Sequence, residues 1–307
     1  MRFTRGFALS VIIAVILVIA IVYFLQPKRL RETRKEPLRR EQRGFPREMP
    51  SQKPPERYEV ERPKEEIPYF EKQKIAIIID DIGYDLASLN ALLKIDAPIT
   101  FAILPHLPHS VDVAEILHRE GREILLHLPM EPQAYPEEEP GGGTLFLWMD
   151  EDQIRQQVEE DLDAVPYIVG VNNHMGSRFM EDRTKLLVVL QQIKERGLFF
   201  VDSLTTRYSK GREVAEEIGL RFAARDVFID NGRDYKATFK ILMDMVNKRN
   251  PGKMKLILIS GHPYPTTIRA LEEAVPLLKA NGVEIISVSH ILEMTGKNKR
   301  LKKTDAN

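Results

Sequence analysis

Four short apolar runs in this chain each lead into an acid or a histidine. The runs are residues 75–79, 123–126, 167–171 and 256–259, and the residues that follow them include Asp80 and Asp81, His127, His174, and His262. Apolar runs of this length are typical of strands that are buried in a parallel sheet. Reactive side chains in such sheets lie at the carboxyl ends of the strands, so we expect these residues to converge on one rim.

Acids and histidines on one rim indicate a metal-dependent hydrolase. Carboxylate and imidazole groups can hold a divalent metal ion, and they can also transfer protons. The alternative is that each of these residues is a hydrogen-bonded structural residue. The chain has no cysteine, which excludes disulfides, thiolate nucleophiles and cysteine-based zinc sites. Its formal net charge is zero, so no overall basic charge indicates nucleic acid as a partner.

The alternation of elements predicts an α/β fold over residues 74–296. Strand-like runs alternate there with segments of helical spacing, and about seven strand–helix units are enough for a closed or nearly closed barrel. Asp150 and Gln153 predict a capping box at the start of one helix. The last strand is expected over residues 283–288.

One long loop, residues 128–146, begins directly after His127 and is rich in proline and glycine. A loop of this length in a compact domain is usually functional, and we expect it to form one wall of the cleft. Leu145, Leu147 and Trp148 are candidates for an apolar or sugar-stacking surface on that wall. The alternative is that they pack in the core.

The first 73 residues predict a membrane anchor and a tether. Residues 6–25 carry no charge and are mostly Ile, Val, Leu and Ala, a length that spans a bilayer. No small-residue cleavage pattern follows, so we expect an uncleaved transmembrane helix within residues 1–25. Residues 26–73 are charged and proline-rich and predict a disordered linker. Residues 297–307 are expected to form a polar tail.

The strand-end motifs resemble those of the polysaccharide deacetylase family. Residues 78–83 are similar to its T-F-D-D-G motif, and residues 127–132 to its H-(S/T)-x-x-H-P motif with Glu131 in place of the second histidine. His262 falls where the family has its late L-x-H motif. Residues 172–177 differ from the usual R-x-P-Y motif and, with residues 201–203, resemble the divergent polysaccharide deacetylase branch. The resemblance covers about residues 74–294.

This resemblance implies a distorted (β/α) barrel that uses a divalent metal, expected to be zinc, to remove acetyl groups from an N-acetylated polysaccharide. It implies that Asp80 is the general base and that His262 is the acid that protonates the leaving amine. Asp81 and His127 would be metal ligands.

The third metal ligand has two candidates. Glu131 can bind a metal through oxygen, and His174 offers an imidazole at another strand end. Asp202 ends a further predicted strand, and it is a candidate for orienting the ligands through hydrogen bonds.

The resemblance also implies where the barrel lies. Family members act on envelope polysaccharides, so we expect a membrane-anchored barrel outside the cytoplasm, in the periplasm. The basic residues that follow the span favour the cytoplasm by the positive-inside rule, but that rule weighs short loops more than a first segment with a large domain behind it. The alternative function is a non-catalytic carbohydrate-binding or envelope-scaffold protein on the same barrel.

Overall fold

The computed structural model describes residues 73–247 and 256–304. The strands in these ranges are β1 (Lys74–Ile82), β2 (Thr100–Ile103), β3 (Glu123–Met130), β4 (Gly170–Met175), β5 (Phe199–Asp202), β6 (Phe222–Ala224), β7 (Val227–Phe228), β8 (Leu256–Gly261) and β9 (Glu284–Ile285). The α-helices are α1 (Leu86–Leu93), α2 (Ser110–Arg119), α3 (Glu151–Ala164), α4 (Arg183–Glu195), α5 (Gly211–Ile218), α6 (Tyr235–Asn247), α7 (Pro265–Ala280) and α8 (Val288–Thr304). A short 3₁₀ turn spans Phe179–Glu181.

The predicted anchor and all but the last residue of the predicted linker lie outside the described residues, so both stay predictions. Within the described ranges, none of the helices combines the length and the apolarity that crossing a bilayer requires. Helix α8 runs to Thr304 and therefore crosses residue 296, where we expected the barrel to end and the polar tail to begin.

The nine strands form one parallel sheet in the order β6-β5-β4-β3-β2-β1-β8-β7, with β9 beside β1. A single segment, residues 222–228, contains both terminal strands of this order. The Arg225 N–H donates to the Asp202 carbonyl of β5, and the Asp226 N–H donates to the Leu258 carbonyl of β8. The segment therefore links the two ends of the sheet, and the fold is a curled parallel α/β sheet consistent with a (β/α) barrel.

The strand count exceeds the predicted seven by two, because β6 and β7 have only three and two residues and were not expected. Pairs and triplets of residues carry too little periodicity to be recognised as strands in a sequence. The expected last strand over residues 283–288 is wrong in length, since only Glu284–Ile285 pair and Val288 already begins α8. The capping box is confirmed: Asp150 and Gln153 exchange two hydrogen bonds of 2.9 Å.

The two faces of the sheet pack against different helices. One face contributes alternate residues such as Ile77 and Leu126 to a core that also contains residues of helices α1–α7. The opposite face, called here the inner face, contributes Ala76, Ile78 and Leu125 to a second cluster with α8. Because side chains alternate along a strand, residues an even number of positions further on stay on the inner face.

Helix α8 lies against the amino ends of the strands. Glu123 at the start of β3 accepts hydrogen bonds from the Val288 N–H at 2.8 Å, the Ser289 N–H at 3.2 Å and the Thr100 hydroxyl at 2.8 Å. A carboxylate at a helix N-terminus binds its free N–H groups and interacts favourably with the helix dipole. The apolar end of the inner face is therefore covered, and the carboxyl ends of the strands form the other end.

Candidate metal centre

Strand alternation places most of the predicted site residues on the inner face at the carboxyl ends of the strands. Asp80 follows Ile78 by two positions on β1, and His127 follows Leu125 by two positions on β3. Asp81 would by alternation face the helices. A left-handed φ of 55° at Asp81 and a register shift between Ile79 and Ile82 redirect the chain there. A non-glycine residue in this region is strained, and such strain is concentrated at functional sites.

Three ligand atoms converge at this rim. The Asp81 Oδ1 lies 2.9 Å from the His174 Nδ1 and 3.2 Å from the His127 Nε2, and the two imidazole nitrogens are 3.1 Å apart. Ligands about 2.1 Å from a zinc ion, at angles of about 90–110° to each other, are separated by about 3.0–3.4 Å. The triangle formed by these three atoms therefore has the size that a divalent metal requires.

The Asp81 Oδ1 is the clearest indication that the triangle suits a cation. This atom is buried and has no hydrogen bond of acceptable geometry, although two imidazole nitrogens are close to it. Buried oxygens almost always have a partner, so an orphaned one in a native fold calls for an ion or a water. Asp81, His127 and His174 thus fit a divalent metal as a set.

His127 is held in the tautomer that a metal ligand needs. Its Nδ1 lies 2.8 Å from the Asn172 Oδ1, and the Asn172 amide N–H donates to the Asp80 Oδ1 at 2.7 Å. Since the Asn172 oxygen can only accept, the His127 Nδ1 carries the proton, and its Nε2 has a free lone pair at the centre. Asn172 therefore connects Asp80, the predicted base, to His127, a candidate metal ligand.

The carboxylate of Glu131 bonds to residues outside the ligand triangle. One carboxylate oxygen contacts Arg178 at 2.7 Å, and the other accepts a hydrogen bond from the Leu147 N–H at 2.6 Å. Glu131 thus ties the loop after β3 to the segment after β4, and it is not among the three residues whose ligand atoms converge. Between the two candidates for the third ligand, the geometry favours His174.

His262 lies next to the triangle, and Asp230 orients it. Its Nε2 is 3.5 Å from the Asp81 Oδ2, and its Nδ1 is 3.1 Å from the Asp230 Oδ1. The other Asp230 oxygen accepts hydrogen bonds from the His262 N–H at 2.6 Å and from the Thr267 hydroxyl at 2.8 Å. Buried Asp230 therefore fixes both the backbone and the ring of His262, with Nε2 directed towards Asp81.

The site is rich in negative charge, and its pKa values reflect this. Burial would raise the pKa of Asp81, but the two adjacent imidazoles outweigh burial and hold it far below its ordinary value. Burial would lower the pKa of His127, yet the charges of Asp80 and Asp81 raise it. The pKa of His262 is also raised, because its hydrogen bond with Asp230 and the charge of Asp81 outweigh burial. Surroundings that favour protonated imidazoles also favour a bound cation.

Asp202 contacts a different part of the molecule. It follows Phe200 by two positions, and Phe200 belongs to the core on the helix side of the sheet. Its carboxylate accepts hydrogen bonds from the Leu204 N–H at 2.8 Å and the Ser209 hydroxyl at 2.6 Å. Burial raises its pKa in spite of those two bonds. Asp202 thus holds the turn after β5 and does not orient the three ligand candidates through these bonds.

Sequence reasoning missed two residues that orient the site. Asn172 was visible as a polar residue at a strand end, and its spacing of two from His174 places both on one face. Asp230 follows β7, which is too short to be recognised, so its proximity to His262 had no signal in the sequence.

An open cleft lies beside the centre. It has a volume of about 250 Å³ and is bounded by Asp81 and the following loop on one side and by Pro263 and Tyr264 on the other. Tyr264 also contacts the His262 ring, with centroids 5.2 Å apart. A group bound in this cleft would therefore touch both Asp81, a candidate metal ligand, and the neighbourhood of His262.

The chain is similar to one family and to several individual proteins. The family model of divergent polysaccharide deacetylases matches residues 77–292. The uncharacterised protein YibQ of Escherichia coli K12 is 33% identical over 222 residues, which cover 71% of this chain and 67% of that protein. An uncharacterised protein of Haemophilus influenzae is 32% identical over 206 residues, or 66% of this chain and 71% of that protein.

One solved structure has the same fold at low identity. The uncharacterised protein ATU2773 of Agrobacterium tumefaciens C58 aligns with a TM-score of 0.67 and 23% identity, over 72% of this chain and 89% of that one.

Proposed function

Because this chain belongs to the divergent polysaccharide deacetylase family, we propose that it is a metal-dependent hydrolase that removes acetyl groups from an N-acetylated envelope polysaccharide. The observation that supports this most is the convergence of ligand atoms from Asp81, His127 and His174 beside Asp80 and His262. One carboxylate and two imidazoles form a ligand set that suits zinc and leaves a coordination position open, so zinc is the proposed metal.

A divalent ion held by these side chains would polarise the acyl carbonyl and make a water molecule more acidic. Asp80, held by Asn172, is proposed to accept the proton of the attacking water. His262, directed by Asp230, is proposed to donate a proton to the leaving nitrogen. The water oxygen then bonds to the acyl carbon and the C–N bond breaks, which leaves acetate and an amine on the sugar.

Acetate release from N-acetylated glycans by the purified full chain tests this function. We expect release that stops when a chelator removes the metal and returns when zinc is added, together with about one ion per chain by elemental analysis. Asp112→Asn changes an exposed acid on α2, and this control variant should leave acetate release unchanged.

A failure to release acetate would identify the alternative function. A zinc-loaded chain that binds a glycan but releases no acetate from it would be a carbohydrate-binding or scaffold protein built on the same fold. The engagement of Glu131 by Arg178, at the position where the family motif has a histidine, is the observation that favours this second candidate.

The location of the barrel follows from the proposed substrate. We propose that the chain is anchored in the membrane by its first 25 residues and that the barrel faces the periplasm, where envelope polysaccharides lie. Protease added to intact spheroplasts should then degrade the barrel. Protection in spheroplasts with degradation after lysis would place it in the cytoplasm instead.

A further inference from the structure

Three aromatic side chains form a row on the loop between β3 and α3. The Tyr135 and Phe146 rings have centroids 4.9 Å apart, and Phe146 stacks on Trp148 at 5.8 Å with an interplanar angle of 17°. Trp148 is 68% exposed and Tyr135 is 37% exposed. We call these three residues the aromatic row. Adjacent aromatic rings that stay exposed form an apolar patch, and such patches mark binding surfaces.

The backbone beneath the aromatic row is firmly held. Leu145 is fully buried, and its N–H donates to the Pro129 carbonyl at 3.0 Å. The Glu131 N–H donates to the Leu145 carbonyl at 2.9 Å, and the Leu147 N–H donates to the Glu131 carboxylate. Phe146 and Trp148 therefore alternate with anchored residues and face away from the core. A surface prepared in this way loses little conformational freedom when it binds a ligand.

The loop that carries the aromatic row spans the ends of the strands that carry the metal centre. It begins where β3 ends, a few residues after His127. Its Gln133 N–H donates at 2.9 Å to the hydroxyl of Ser177, which lies two residues after the end of β4 and three after His174. The aromatic row thus lies on the same rim as the centre. An extended polymer bound along the rim can contact both.

The negative charge of the loop determines which class of polymer can bind there. Residues 131–149 contain four glutamates and no Lys or Arg, and Glu137, Glu138 and Glu139 are exposed. Such a loop repels anionic polysaccharides and anionic lipid headgroups. Uncharged sugar rings suit it better, because their C–H faces can lie on the electron-rich faces of aromatic rings while the hydroxyls stay in water.

We propose that the aromatic row is a binding subsite for a neutral N-acetylated glycan strand, which it holds while another sugar of the strand lies at the metal centre. This inference rests on the proposed function, and it gives the aromatic row a role in recognising neighbouring sugar units. The row takes no part in the chemistry, so its loss should weaken binding of long substrates and leave short ones unaffected.

Trp148 is the single tryptophan of the chain, so its fluorescence reports on the row directly. The full chain, with its metal removed by a chelator, is titrated with the hexamer and with the monomer of β-1,4-linked N-acetylglucosamine. We expect a saturable change in emission with the hexamer, and an affinity at least about tenfold lower for the monomer, which cannot cover several rings. An emission spectrum that the hexamer leaves unchanged would overturn the proposal.

Two variants test the stacking. Phe146→Ala keeps the reporter and should weaken hexamer binding about tenfold, the worth of one lost aromatic contact. Tyr167→Ala is the matched control, because Tyr167 is 50% exposed and stacks on His118, but precedes β4 and so lies at the opposite edge of the sheet. Equal weakening in both variants, or none in Phe146→Ala, would contradict the proposal.

The remaining outcomes separate this inference from its competitors. Vesicles of anionic lipid that shift the Trp148 emission when the hexamer does not would assign the row to a membrane surface and overturn the proposal. Acetate release and hexamer binding are measured separately. Hexamer binding without acetate release would support the aromatic row as a glycan site and contradict the proposed enzymatic function. If the chain releases acetate from the hexamer and Trp148→Ala does not slow that release, the enzymatic function stands and the proposal for the row is contradicted.

Discussion

The two ends of the inner face differ completely in chemistry, although the same strands build both. Towards the amino ends, Ala76, Leu125 and Leu258 pack against α8 in a cluster of apolar side chains. Two or four residues further along the same strands, on the same face, lie Asp80 and His127. The change from packing to chemistry therefore occurs within about two residues on each strand, or roughly 7 Å along it.

The two ends also differ in how completely their polar groups are satisfied. At the apolar end, Glu123 accepts hydrogen bonds from the first N–H groups of α8. At the polar end, the Asp81 Oδ1 is buried without a hydrogen bond, and the backbone at Asp81 is left-handed. The apolar end stabilises the fold, and the polar end carries strain and charge that a ligand can relieve, which is the usual division in barrels of this class.

The largest expected effect is the loss of the metal from the polar end. His127→Ala removes one corner of the ligand triangle, so we expect the metal content to fall from about one ion per chain to near zero. His174→Ala should do the same, whereas Glu131→Gln should keep the ion because its oxygens already serve Arg178 and Leu147. Elemental analysis after dialysis measures this.

His118→Ala is the control for the metal measurement, because this histidine is exposed on α2 and stacks on Tyr167. It should retain the full complement of metal. If Glu131→Gln lost the ion and His174→Ala kept it, the third ligand would be Glu131 and not His174.

The next effect separates the proposed chemistry from metal binding at the same end. Asp80→Asn preserves the shape of the side chain and leaves all three ligand candidates in place, but it removes the proposed base. We expect acetate release to slow by about two or more orders of magnitude with the metal retained. His262→Ala should behave similarly, since it removes the proposed acid. A fully active Asp80→Asn enzyme would show that another group accepts the proton.

A smaller effect is expected at the apolar end, and there it should change stability alone. Leu292 of α8 is buried in the inner cluster, so Leu292→Ala should lower the free energy of unfolding by about 2–5 kcal/mol through lost burial and a cavity. Leu277→Ala on α7 is the matched control, because this leucine is 43% exposed and should cost under about 0.5 kcal/mol. Denaturant unfolding measures both, and the metal content should not change. Metal loss in Leu292→Ala would show that the two ends are coupled.

The last effect is small at any one pH step and builds up gradually, and it concerns Asp161, a buried acid on α3. Asp161 of α3 is fully buried, and its Oδ1 lies 2.7 Å from the His106 Nε2 and 3.1 Å from the Gln157 amide nitrogen. Burial, helped by the charge of Glu160, raises the pKa of Asp161 to about 8. The pKa of Asp81 is shifted in the opposite direction, so of these two acids only Asp161 favours its neutral form.

That shift makes stability depend on pH in a defined direction. Between the unfolded-state pKa of about 3.9 and the folded value, the folded state keeps the Asp161 proton and the unfolded state loses it. Stability therefore falls as pH rises from about 4 to about 8, by at most about 1.4 kcal/mol per pH unit. Asp161→Asn removes this dependence, so the stability of wild type relative to the variant should decline between pH 5 and pH 8. A constant difference across that range would contradict the assignment.

Strand periodicity explains how much of the site could be predicted. Asp80, His127, His174 and His262 all follow apolar runs, and parallel strands bring such positions to one edge whatever the details of the loops. The family, recognised from the motifs around these residues, is confirmed. Trp148 shows what strand periodicity does not predict. Leu145 is buried in the core and Leu147 packs against it, yet the neighbouring Trp148 is exposed.

The sequence by itself determined which residue types reach the rim, because alternation and strand direction are local properties of the chain. Only the tertiary structure decided which of them meet. Glu131 is drawn to Arg178, Asn172 joins His127 to Asp80, and Asp230 supports His262 through hydrogen bonds between residues that are 32–92 positions apart. Contacts over such distances depend on the curl of the sheet and on the turned backbone at Asp81, and no local pattern in the sequence encodes either of them.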